Sequence, residues 1–125
     1  MTGQRDGFSY SFERLEVWKK AKSLAVRIYK VTSLFPEDEK FGIVAQMRRA
    51  AVSIASNIAE GTSRMSKKDQ AHYSQIAYGS LAELLCQISI ASELSFISSE
   101  DSSELRANIE EISRMLNALR KSQMC

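Results

Sequence analysis

The sequence predicts an all-α protein, an antiparallel up-down-up-down four-helix bundle that associates with itself. Three observations carry that expectation. One proline and five glycines in 125 residues leave little punctuation for strands and hairpins. Apolar residues recur at spacings of three and four through four long segments. The stretch Gln46–Gly61, QMRRAAVSIASNIAEG, is apolar over more of its circumference than a surface helix needs.

That stretch organises the rest. On a helical wheel Ile43, Met47, Ala50, Ile54 and Ile58 fall on one side, and Val44, Ala51, Val52, Ala55 and Ala59 widen it. A helix so apolar must be covered on more than one side. The remaining arc is polar: Gln46, Arg49, Ser53, Asn57, Glu60 and Arg64, each three or four residues from the next. Two readings stay open for it. It is a solvated face, or it is a partly buried network in which Arg49 and Glu60 satisfy Ser53 and Asn57, tolerated only if fully paired. Gly61 reads as a helix stop.

In chain order, residues 1–11 (MTGQRDGFSYS) read as a flexible leader, 12–121 as the bundle domain and 122–125 as a frayed tail. Helix one is expected from about Glu13 to Leu34. Trp18, Ala21, Ala25, Ile28 and Thr32 form its buried stripe, with Leu15, Leu24 and Phe35 at the margins. Phe35-Pro36 marks the next boundary, and Glu37, Asp38 and Glu39 suit the positive end of a helix dipole. Helix two then runs to about Glu60, loosened near Gly42. Ser66 and Asp69 form a capping box for helix three, Lys67 to Leu94. Its core stripe is Ala77, Leu81, Leu84, Leu85, Ile88 and Ala91. Small residues Gly79, Ala82 and Cys86 line another side and would let a second helix approach closely, which makes them candidate subunit-interface residues. Ser80, Glu83 and Gln87 lie between those faces as partners for the polar line, Arg49–Glu83 first among the pairs. Ser98 and Asp101 can cap helix four, about Ser99 to Lys121, whose narrow seam is Leu105, Ile109, Ile112, Leu116 and Leu119. A seam buried on one side only makes that helix the most peripheral.

The run RRAAVSIASNIAEG, with LEVWKKA upstream and IAYGSLAEL downstream, closely resembles the bacterial intervening-sequence family of four-helix-bundle proteins. The family takes its name from reading frames inside large-subunit ribosomal RNA genes. The resemblance covers about Phe12 to Leu119. Where the family usually has proline this chain has Ala55, so helix two should be straighter. The resemblance implies a small bundle that assembles into a ring, often of five subunits, with no settled biochemical activity.

Composition narrows the function classes. A net charge of +2 is too weak to declare a nucleic-acid binder by itself. The excess lies early: Arg5, Arg14, Lys19, Lys20, Lys22, Arg27 and Lys30 precede Pro36, against Asp6, Glu13 and Glu16. Lys19, Lys20, Arg27 and Lys30 share one face of helix one. They are either solvated or a phosphate-contacting strip that a ring would repeat. Two functions follow: a module binding RNA or a nucleic-acid-handling partner, or a structural, protein-interaction scaffold with no nucleic-acid role. Bundles related to the family serve retroelements as accessory subunits and are more strongly basic than this chain.

No enzyme is expected. His72 is the single histidine and has no ligand cluster at metal spacing. Glu60 and Glu83 lack a substrate cleft, no phosphate-cradling glycine loop exists, and Cys86 has no basic neighbour one turn away. Ser53 and Ser56 have no histidine within helix reach. No cofactor, small-molecule substrate or membrane partner is implied. The absence of a signal-type apolar run places the chain in the cytoplasm, with Cys86 and Cys125 as free thiols.

Overall fold

The computed structural model describes residues 9–124. Residues 1–8 and 125 lie outside it, and with them most of the expected leader and Cys125. Four α-helices and no strands occur among the described residues: α1 (Glu16–Thr32), α2 (Ile43–Thr62), α3 (Lys67–Glu93) and α4 (Ser99–Met124).

Helix one starts later than its periodicity suggests. Ser11–Arg14 is a separate 3-10 turn, broken from α1 by extended Leu15. Local polar groups hold the break. The Tyr10 amide donates to Glu13 Oε1 at 2.8 Å, and Arg14 donates to Ser9 Oγ at 2.9 Å. Phe12 then sits edge-on to Trp18 with ring centres 4.9 Å apart. The buried face of α1 is also rotated from the expected one. Val17, Ala21, Leu24, Ile28, Val31 and Thr32 are buried, while Trp18 and Ala25 are half-buried. The seam 17, 21, 24, 28, 31 alternates four and three just as the expected stripe does; the two share Ala21 and Ile28 and differ in which flanking residues turn inward.

Pro36 does not open helix two directly. Glu37–Glu39 form a 3-10 turn, and non-helical Gly42 precedes α2. At the far end Gly61 is inside α2 and buried. It is no stop signal. A Cβ there would lie 3.2 Å from Tyr73 Cβ and 3.3 Å from the Gln70 carbonyl, so a methyl group would have to push α3 back by a few tenths of an ångström against its backbone. Gly79 is the opposite case, because a Cβ there meets nothing within 4 Å. Gly61→Ala is therefore expected to lower the melting temperature. Gly79→Ala should raise single-chain stability by about 1 kcal/mol through helix propensity alone. Thermal denaturation of the two variants side by side checks both signs.

Both expected N-cap serines accept their bonds: the Asp69 amide donates to Ser66 Oγ and the Asp101 amide to Ser98 Oγ, each at 3.1 Å, and at Ser66 this is a single cap bond instead of the reciprocal box. Helix three ends in a Schellman arrangement. Ser95 takes a left-handed φ of 63°, and the Phe96 amide returns to the Ala91 carbonyl at 2.9 Å. Phe96 thereby reaches Phe35, with ring centres 5.4 Å apart, and ties the α3–α4 connection to the α1–α2 connection.

One apolar core joins all four helices. Ile28, Met47, Ile54, Ile58, Leu84, Ile88, Leu105, Ile112 and Leu116 are among its almost fully enclosed side chains. The tightest seam is α2–α3 and the weakest is α1–α4, so α1 shares the peripheral position expected of α4. Residues 122–124 of the segment expected to fray continue α4 instead: Gln123 is buried and accepts a 2.7 Å bond from Ser74.

Candidate interaction surfaces

The four helix-one cations do not form an open strip. Lys19 pairs with Glu16 at 3.2 Å and Lys20 with Glu111 at 3.4 Å. Arg27 bridges to α4, contacting Asp101 at 2.9 Å and also Glu104. Lys30 is exposed. Three of the four cations thus meet four carboxylates while Lys30 has no ion pair among the described residues, and the four cations and four carboxylates sum to no net charge. Each exposed pair contributes at most about 1 kcal/mol, but together they cancel the field that would attract phosphate.

The polar line of α2 divides into three parts. Ser53 and Ser80 share a 2.8 Å hydrogen bond across the α2–α3 seam, and Asn57 Nδ2 donates to Ser53 Oγ at 3.0 Å and to the Ser53 carbonyl at 2.9 Å. Arg49 lies 3.7 Å from Glu83, which accepts a 3.3 Å bond from Gln87. Glu60 turns to Arg64, and Arg64 also donates to the Tyr73 hydroxyl at 2.8 Å. Arg49 and Glu60 therefore do not satisfy Ser53 and Asn57; the small serines do, because only small side chains fit where two helices approach closely. Gln87 is buried with its Oε1 unpartnered among the described residues.

Gly79, Ala82 and Cys86 are all on the exposed side of α3. Beside them runs a trough of about 580 Å³ between α3 and α4, floored by Leu81, Leu85 and Ile109 and left shallow by Ala82 and Ala107. Tyr78 stands at one end. Its phenol is held below its ordinary pKa by hydrogen bonds from Ser113 and Asn117, with a smaller contribution from Arg120, against burial. A second groove of about 540 Å³ lies between α1 and α2, with Phe12, Trp18, Tyr29 and Val52 in its walls. Lys22 and Arg48 lie over the Trp18 and Tyr29 rings, at 5.0 and 4.5 Å. Sequence reading did not single out Arg106, Arg120 or Tyr78. The available signal was weak: two arginines fourteen residues apart on a helix whose outward face is charged throughout.

No helix of the described residues is long and apolar enough to cross a membrane. Among the same residues no group of three or more His, Cys, Asp or Glu side chains is placed to hold a metal ion.

Four helices around one apolar core define an all-helical class of protein, in which surfaces rather than an enclosed cavity distinguish one member from another. The chain belongs to the 23S rRNA-intervening sequence protein family, whose sequence pattern matches residues 13–118. It is similar in structure to a Bacteroides thetaiotaomicron protein of unknown function from the S23 ribosomal protein family. The two are 25% identical with a TM-score of 0.78, and the match covers 84% of this chain and 95% of the other. No curated protein matches the chain.

Proposed function

We propose that the chain is a non-enzymatic, self-associating scaffold: an antiparallel up-down-up-down bundle that builds a ring-shaped homo-oligomer for protein interaction in the cytoplasm. Side-chain pairs whose numbers fall on one helix as they rise on the next support the antiparallel order. Lys20–Glu111 with Arg27–Asp101, and Gln75–Arg120 with Ser89–Arg106, are two such sets.

The observation that carries the scaffold reading is the neutral strip on α1. A phosphate-binding surface releases counterions in proportion to its uncompensated cations, and Lys19, Lys20 and Arg27 are each compensated within the chain. Self-association draws support from exposed apolar side chains, Leu34, Phe41, Val26, Tyr29 and Val52, which a second copy would cover. Five subunits is the number the family resemblance implies.

RNA binding by fluorescence anisotropy across a salt series, beside light scattering, tests the proposal. The expected result is no salt-dependent binding and a mass near five times 14.0 kDa, about 70 kDa. Binding that weakens steeply with salt, and again when Lys19, Lys20, Arg27 and Lys30 become glutamine, would overturn it in favour of an RNA-binding module. A mass of 14.0 kDa would remove self-association.

A further inference from the structure

We infer that the copies join head to tail: the α1–α2 connection of one chain, Leu34–Phe41, seats in the α3–α4 trough of the next. This rests on the self-association proposed above and names its two surfaces.

Arg106, in the trough's lining, and Arg120, beyond its Tyr78 end with its guanidinium 5.2 Å from the Tyr78 ring centre, both reach from α4 to α3. Arg106 Nη1 donates to Ser89 Oγ at 3.2 Å, and Arg120 Nη2 to Gln75 Oε1 at 3.3 Å. The arginines stand fourteen residues apart, about 21 Å along a helix. Among the described residues neither has a carboxylate within ion-pair distance, as is also true of Arg14 and Arg48 elsewhere, whereas Arg27, Arg49, Arg64 and Arg114 each have one. Glu110, the carboxylate of the lining, is paired with Arg114, so the two guanidinium groups with neutral partners supply the uncompensated charge around the apolar floor. Such a surface fits an apolar protrusion that carries negative charge.

The chain presents that protrusion itself. Leu34 and Phe41 are 83% and 89% exposed, the most exposed large apolar side chains beside Met65. Between them lie Glu37, Asp38 and Glu39, and none of the three forms an ion pair among the described residues. The segment is held in shape from below. Phe35 is buried against Phe96, and the Glu39, Lys40 and Gly42 amides return to Pro36, Glu37 and Glu39. A preorganised protrusion loses little entropy on docking. Charge complementarity and exposed apolar area thus match between two different places on the same chain. Contacts between unlike surfaces are heterologous, and a heterologous contact closes into a ring when its rotation permits. Both apolar features are then covered in every subunit.

The test is light scattering and sedimentation of the full chain with charge-reversed variants. Arg106→Glu with Arg120→Glu, and separately Glu37→Lys with Glu39→Lys, should each weaken assembly on the order of tenfold or more. Mixing the two reversed proteins should restore association between unlike chains, since each then offers the other a complementary contact; a ring of five, being odd, keeps one mismatched contact, so the mixture should regain mass without fully matching the wild type. Ala107→Trp, which fills the trough from an exposed position without altering charge, should also dissociate the oligomer while leaving the helical circular dichroism intact. If the wild type is an oligomer that none of these changes weakens, the inference fails and self-association stands. If Lys22→Glu with Arg48→Glu alone dissociates it, the α1–α2 groove is the interface and the inference is overturned. A wild-type mass of 14.0 kDa overturns both readings.

Discussion

Replacing Ile54 by alanine is expected to lower the free energy of unfolding by about 2–5 kcal/mol. Ile54 is fully enclosed in the middle of α2, the helix that packs against both α1 and α3. Three lost carbon atoms leave a void that long helices cannot close without shifting their whole length. Urea denaturation with an unchanged slope measures the effect. Val52, two residues away and 42% exposed, supplies the control. Val52→Ala should change single-chain stability by no more than about 0.5 kcal/mol. Similar losses at the two positions would mean that α2 is not the central helix.

Ser80→Leu is the second large expected effect, and it acts through the α2–α3 seam. The Ser53 and Ser80 hydroxyls meet at 2.8 Å, so there is no room for a branched side chain between the backbones. Forcing one in costs about 1–3 kcal/mol in overpacking. Separating the helices also strips the half-buried Ser53 hydroxyl of its cross-seam partner and leaves it only the bond from Asn57, a loss of about 1 kcal/mol more. Ser80→Ala removes the hydroxyl without adding bulk, so its loss should stay near 1 kcal/mol. Thermal and urea melts of the pair separate the two costs. If leucine and alanine prove equally mild, the seam is wider than the hydroxyl contact implies.

The two surfaces proposed for assembly were unequally legible in the sequence. Ala82 stood out because a small residue in a helix leaves a gap, and it does border the trough. Gly79 and Cys86 face open space within one chain. Arg106 and Arg120 gave no signal, since an arginine on a charged helix face is ordinary until its neighbours are known. What distinguishes them on α4 from Arg114 is the absence of a carboxylate partner among the described residues. The α1 cations went the other way. Their spacing suggested a strip, and carboxylates from α4, 74 and 91 residues later in the chain, neutralise Arg27 and Lys20. No local pattern can report a partner at that distance.

The sequence by itself determined the helical class, the four helices and the caps at Ser66 and Ser98, together with the core residues of α2, α3 and α4. Those features depend on contacts within a turn or two of helix, and periodicity records them directly. Only the tertiary structure decided the rotation of α1, the burial of Gly61 and Gln123, and the break before α2. It also decided which charges cancel. Each of these depends on side chains brought together from distant parts of the chain, where packing free energy outweighs the weak local preference of any single residue.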